Sequence, residues 1–173
     1  MKSNIVLIGM AASGKSTTGV VLAKTLGKNF VDTDLYIQQK TGKTLQAILN
    51  EDGIDTFKAI EEEILSGVDV SESVISTGGS AVYYPESMKN LGQDGIIVYL
   101  NVPLEEIEKR LSNIKTRGVI LRKGETIADL YHFRAPMYEK YADIVIEAGD
   151  STLEETVEMI CCAVDEYRKT EGR

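Results

Sequence analysis

The segment Gly9-Met10-Ala11-Ala12-Ser13-Gly14-Lys15-Ser16 constrains this chain more than any other. It fits G-x-x-x-x-G-K-[ST], and it stands where that pattern has a physical use, directly after the apolar run Ile5–Ile8 and directly before the amphipathic stretch Lys15–Leu26. Glycines let the backbone turn its N–H groups inward around a phosphate, and the following helix adds the partial positive charge of its first turn. Lys15 then supplies a mobile cation for the β- and γ-phosphates, and the Ser16 hydroxyl is a ligand for Mg2+. The expectation is a nucleotide-binding loop made of Gly9, Ala12, Ser13, Gly14, Lys15, Ser16 and Thr17. A chance glycine-rich turn is the bland alternative, and the strand before it and the helix after it weigh against that.

The rest of the chain repeats the strand-then-helix alternation. Apolar runs at Ile5–Ile8, Asn29–Val31, Ser73–Ser76, Gly95–Leu100 and Asp143–Glu147 read as five strands, the fourth being continuously apolar and β-prone. Helical patterns are clearest over Lys15–Leu26, Thr56–Leu65, Leu104–Leu111 and Thr152–Arg168. Polar stretches at Thr41–Lys43 and Lys115–Glu125 read as loops or lids. This is the signature of an α/β fold with a largely parallel sheet, and with no linker in sight residues 1–173 are expected to form one domain.

Composition closes off other classes. The formal charge of −8 argues against a broad basic surface for nucleic acid, while leaving room for a few cations converging on a small anion. The two cysteines, Cys161 and Cys162, are adjacent and helical, which suits neither a disulfide framework nor a metal site. With no signal-peptide pattern at the start and no apolar run of membrane-spanning length, the expectation is a cytoplasmic protein without membrane contact.

Two acids follow the second strand in Phe30-Val31-Asp32-Thr33-Asp34, at the edge of the sheet where ligands bind in such folds. If the strand persists, both side chains share a face, one acid holding Mg2+ and the other reaching a substrate hydroxyl. The competing reading is an acidic helix start, since Asp caps helices well.

With these residues in place, the chain resembles the shikimate kinase family. Asp32-Thr33-Asp34 is similar to the family's Asp-x-Asp, and Gly53, Phe57-Lys58 and Glu61 echo a later glycine followed by Phe-Arg and a glutamate. Thr77-Gly78-Gly79-Ser80 stands at a triple glycine, and Asn101-Val102-Pro103-Leu104 leads to Arg110 and to the lid arginine Arg117. Arg134-Ala135-Pro136-Met137-Tyr138 then looks like the family's Arg-x-Pro-x-Tyr.

The resemblance implies a P-loop three-layer sandwich with a five-stranded parallel sheet in order 2-3-1-4-5, a substrate region over residues 32–61 and a lid over residues 112–125. It implies a kinase that moves the γ-phosphoryl of MgATP to a hydroxyl of a small carboxylate metabolite, with shikimate leading. Lys15, Asp34 and Arg117 would be catalytic, and Ser16 and Asp32 would hold the metal. The acceptor would meet Asp34, Lys58, Gly78, Gly79, Ser80 and Arg134, while Arg110 and Arg117 would contact the nucleotide. The enzyme is expected to act as a monomer.

Several positions depart from the family pattern. Lys58 replaces an arginine and cannot make its planar two-pronged pair with a carboxylate. Ser80 adds a Cβ and a hydroxyl in place of the third glycine. Gly118 replaces a lid proline, Ala12 replaces a glycine, and an arginine near Ser151 is missing. These changes keep another hydroxy acid, such as homoserine, as an alternative acceptor. A nucleotide-dependent switch is the rival class, disfavoured by the lack of an Asn-Lys-x-Asp motif.

Other residues have plainer readings beside the functional ones. Arg110 can simply pair with Glu106 at i, i+4, Arg117 can belong to a solvated basic loop, and Lys58 and Arg134 can be surface helix residues. His132, the lone histidine, fits a surface or packing role, and Tyr83-Tyr84 line the cleft or pack at a turn.

Overall fold

The computed structural model describes residues 2–112, 119, 121 and 124–171. Five strands, β1 (Asn4–Ile8), β2 (Asn29–Asp32), β3 (Ser73–Ser76), β4 (Gly95–Asn101) and β5 (Ile144–Glu147), form one sheet in the order β2-β3-β1-β4-β5. Every pairing is parallel, with Val6 opposite Ile75 on one side and Ile97 on the other. Parallel strands need crossovers, and the helices that supply them cover both faces, so the central strands are apolar on both sides. Ile5, Val6, Leu7, Ile8, Val98 and Leu100 are accordingly buried.

The helices are α1 (Lys15–Leu26), α2 (Thr33–Thr41), α3 (Leu45–Glu51), α4 (Ile54–Ser66), α5 (Pro85–Asp94), α6 (Leu104–Ser112), α7 (Ile127–Tyr141) and α8 (Leu153–Glu171). The expected strands and helices recur within one to three residues of their ends. The expected loop at Thr41–Lys43 begins one residue later, because Thr41 is still helical and Gly42, at φ 67°, closes α2. Residues 127–141 are helical straight through Pro136. A proline inside a helix costs about 3 kcal/mol in lost hydrogen bonding and steric conflict. Here Leu130, Arg134 and Tyr138 are buried on one side of α7, so packing outweighs that local preference.

Two cores divide the labour. The larger surrounds the sheet, and a smaller one, Ile37, Ile48 and Phe57 with Leu45, Leu49, Ile60 and Ile64, knits α2, α3 and α4 together beyond the β2 edge. The strands β1, β2 and β3 all end at the same edge, so the segments that follow them converge there. Such a meeting point, where successive connections leave in opposite directions, is where open α/β sheets bind ligands. Among the described residues no helix is long and apolar enough to cross a membrane.

Candidate active site

The loop after β1 folds as its sequence requires. Gly9 and Gly14 have φ of 144° and 93°, in the region glycine tolerates at little cost. Ala12 also sits there at φ 64°, so the departure from glycine carries a local penalty of about 1 kcal/mol rather than a different loop. Lys15 is buried, and its Nζ donates to the carbonyls of Gly9 at 2.9 Å and Met10 at 2.7 Å and to Ser13 Oγ at 3.3 Å. The ammonium therefore lies across the mouth of the loop at the start of α1. Ser16 Oγ is 3.4 Å from Ser76 Oγ at the end of β3.

A cavity of about 530 Å³ opens beside this loop. Its wall includes Gly14, Lys15 and Ser16 from the loop, Asp32 and Asp34 from the start of α2, Glu61 from α4, Gly78, Gly79 and Ser80 after β3, and Arg134 from α7. Residues far apart in the chain thus share one cleft. Gly9, Ser13, Thr17 and Arg110 do not line it: the Gly9 carbonyl and Ser13 hydroxyl serve Lys15, and Thr17 is exposed on α1. Arg110 pairs through Nε with Glu106 at 2.9 Å, as the plainer reading anticipates, and also donates to the Ala12 carbonyl at 3.2 Å on the flank of the loop.

The two acids do not share a strand face. The strand stops at Asp32, whose Oδ1 accepts from the backbone N–H of Asp34 at 3.0 Å and of Leu35 at 3.4 Å, so Asp32 caps α2 and Asp34 occupies its first turn. The helix-start reading is thus right about local structure, yet both carboxylates still face the cleft, because capping consumes only one Asp32 oxygen. Asp32 and Ser16 provide two oxygen donors beside the phosphate loop. Among the described residues no cluster of three or more acidic, His or Cys side chains accompanies them. That sparse oxygen set suits Mg2+, which keeps most of its waters and is held by one or two protein oxygens plus phosphate, better than a metal needing a full protein cage.

A further part of the wall is built from Gly78 to Ser80. A Cβ on Gly78 would stand 2.7 Å from Glu61 Oε1 and 2.9 Å from Asp34 Oδ1, so only glycine lets both carboxylates approach. A Cβ on Gly79 would lie 3.1 Å from an Arg134 guanidinium nitrogen and 3.3 Å from the Ala11 backbone nitrogen. Tyr138, one turn beyond Arg134, donates to the Gly79 carbonyl at 2.6 Å and stacks on Tyr99 at 5.1 Å, which anchors α7 to this segment.

Arg134 is not a surface residue. It is 5% exposed, its Nε donates to the Tyr83 hydroxyl at 2.8 Å, and its guanidinium lies over the Tyr83 ring at 4.9 Å. Among the described residues no carboxylate lies within ion-pair distance of it. Lys58 does not line the main cleft; it lines an adjoining cavity of about 240 Å³, which shares Ser80 and Arg134 with it. Arg117 and Gly118 lie outside the described residues. His132 stacks edge-on with Tyr131 and lines neither cavity.

Sequence reasoning placed Glu61 only as part of a pattern, and its environment is the least ordinary here. Burial pushes its carboxyl up to about 7, with Asp34 adding to the rise, while hydroxyl hydrogen bonds from Ser80 and Tyr84 and the charge of Arg134 pull it down. A folded-state value above the ordinary carboxyl value means that the folded protein binds the proton more tightly than the unfolded chain. The contribution to stability is therefore complete at acid pH and is lost as pH rises through about 7. The loss is on the order of 3 kcal/mol. Glu61→Gln should accordingly flatten the pH dependence of the melting temperature between about pH 5 and pH 8 and melt above wild type at the alkaline end. Thermal melts with the same slope in both proteins would refute this.

The family model described as shikimate kinase matches residues 11–165. The shikimate kinase of Thermodesulfovibrio yellowstonii is 37% identical over 169 residues, covering 96% of this chain and 95% of that protein. That of Nitrosococcus oceani is 34% identical over 169 residues, covering 95% and 88%. Among solved structures, the shikimate kinase from Acinetobacter baumannii in complex with shikimate superposes with a TM-score of 0.86 at 30% identity, over 95% of this chain and 93% of that one.

Proposed function

Because this chain belongs to the shikimate kinase family, we propose that it transfers the γ-phosphoryl group of ATP to a hydroxyl of shikimate, giving shikimate 3-phosphate. The observation that carries this reading is Arg134, a buried guanidinium with no carboxylate among the described residues within ion-pair distance, on the wall of the cavity that also holds the phosphate loop and Asp34. A buried charge is strongly unfavourable unless an opposite charge meets it, so the site is built to receive an anion.

The division of labour follows from position. The loop amides and Lys15 take the phosphates of ATP, and Asp34 orients the acceptor hydroxyl and takes its proton as the new O–P bond forms and the bond to the β-phosphate oxygen breaks. Phosphoryl transfer asks a protein chiefly for alignment and for charge placed on the transferring oxygens. Ser16 and Asp32 are the residues that would hold Mg2+, which when bound neutralises phosphate charge. Arg117 is assigned to the transferring group by its place in the family pattern, and Arg110 to the nucleotide by its hold on the Ala12 carbonyl. Arg134 and Lys58 take the acceptor carboxylate at the junction of the two cavities, where the backbone of Gly78 and Gly79 allows close approach.

The experiment is a steady-state comparison of shikimate with homoserine as acceptor, in wild type and Arg134→Ala. Shikimate should be the better substrate. Losing a charge-assisted hydrogen bond in a partly dry site should raise its KM roughly ten- to a hundredfold. The KM for ATP should stay near the wild-type value. An Arg134→Ala enzyme with unchanged acceptor KM would remove the carboxylate assignment, and turnover of homoserine alone would remove shikimate.

A further inference from the structure

Ser80 stands where the family pattern has its third glycine, and its hydroxyl is committed to one neighbour. Ser80 Oγ lies 2.7 Å from each oxygen of Glu61, and the Tyr84 hydroxyl donates to Glu61 Oε2 at 2.9 Å. All three side chains are buried, Glu61 at 1% exposure. They come together only in the folded chain, Glu61 from α4 and the two hydroxyls from either end of the short 3-10 turn Ala81–Tyr83. Since Glu61 and Asp34 both crowd the missing Cβ of Gly78, the clamped carboxylate stands beside the residue assigned to the acceptor hydroxyl. Arg134, assigned to the acceptor carboxylate, faces the same group from α7.

We propose that Ser80 is a positioning residue of the acceptor site: with Tyr84 it pins the Glu61 carboxylate to the cavity wall, and so sets how much of the Arg134 charge is left for the carboxylate of the acceptor. The inference rests on the acceptor site assigned above. An ionised Glu61 partly neutralises Arg134 and repels an incoming anion; a neutral Glu61 does neither. Hydroxyl donors favour the ionised form, whereas burial and a neighbouring carboxylate favour the neutral one. The groups bearing on Glu61 are Asp34 from α2, Arg134 from α7, and Ser80 and Tyr84 from the turn, with Glu62 of its own helix acting on Tyr84. Their balance leaves Glu61 changing charge at about pH 7. A glycine at position 80 would leave Tyr84 as the single hydroxyl donor, and Glu61 would hold its proton to higher pH.

The test is the KM for shikimate at saturating MgATP, from about pH 6 to about pH 9. Wild-type KM should rise with pH through an inflection at about 7, with kcat and the KM for ATP following different profiles. Ser80→Ala should move that inflection up by about one pH unit, the expected result of removing one hydrogen bond to the charged form. Ser80→Thr, which keeps the hydroxyl, should restore the wild-type profile, and Glu61→Gln should abolish the inflection. An inflection that survives Glu61→Gln, or that stays in place in Ser80→Ala, overturns the proposal. Should wild type fail to phosphorylate shikimate, the functional reading falls while the clamp is still tested, by carboxyl-carbon NMR titration of Glu61 without acceptor. An upward displacement in Ser80→Ala supports the clamp, and coincident titration curves overturn it.

Discussion

Lys15→Ala should lower turnover by about a hundred- to a thousandfold, the size of effect seen when one preorganised donor to a developing negative charge is removed. The fold should survive. Lys15 is the first residue of α1 and itself lines the open cleft, so water can enter in place of the ammonium and meet the Gly9 and Met10 carbonyls and the Ser13 hydroxyl that it now satisfies. Because the ammonium serves the transferring phosphate and not the acceptor, the KM for shikimate should change far less than kcat. Circular dichroism with single-turnover kinetics separates the possibilities: a folded Lys15→Ala protein with near-normal turnover would exclude phosphoryl transfer through this loop.

Asp34→Asn should reduce kcat by about a hundred- to ten-thousandfold, the range associated with a positioned acid or base. ATP affinity should be nearly unchanged, since Asp34 is assigned to the acceptor hydroxyl and not to the nucleotide. Asp32→Asn forms a sharp contrast. Asparagine caps a helix about as well as aspartate, so α2 should still start at Thr33, and what is lost is a charged oxygen near Ser16. The expected result is a raised Mg2+ requirement with a smaller fall in kcat. Metal titrations and acceptor kinetics on both variants should give opposite patterns, and interchanged patterns would reverse the roles assigned to the two acids.

Much of this was legible along the chain because the relevant physics is local. The phosphate loop needs only consecutive residues, since backbone turning, helix start and lysine all lie within Gly9–Ser16. The strands were readable because a doubly covered parallel strand must be continuously apolar, and Gly95–Leu100, which is extended by one residue in β4, is the clearest case. The site residues were found by a different route, as blocks of a family pattern whose spacing is kept.

Where local rules competed with packing, packing prevailed. A proline at position 136 argues for ending a helix, but α7 continues because Leu130, Arg134 and Tyr138 together bury one of its sides. Asp32 and Asp34 were readable as a pair, yet whether they shared a strand face or started a helix depended on where β2 stops. That point is set by pairing with β3, which ends at Asp32 opposite Ser76.

The sequence by itself determined the phosphate loop, the parallel α/β architecture and the family pattern, because each depends on residue order and on contacts between near neighbours. Only the tertiary structure decided which charges meet. It put Lys58 on the adjoining cavity, left Arg134 buried with no carboxylate among the described residues within ion-pair distance, and placed Glu61 under the hydroxyls of Ser80 and Tyr84. Those outcomes depend on desolvation and on distances between residues dozens of positions apart, and both come into being only when the helices pack across the end of the sheet.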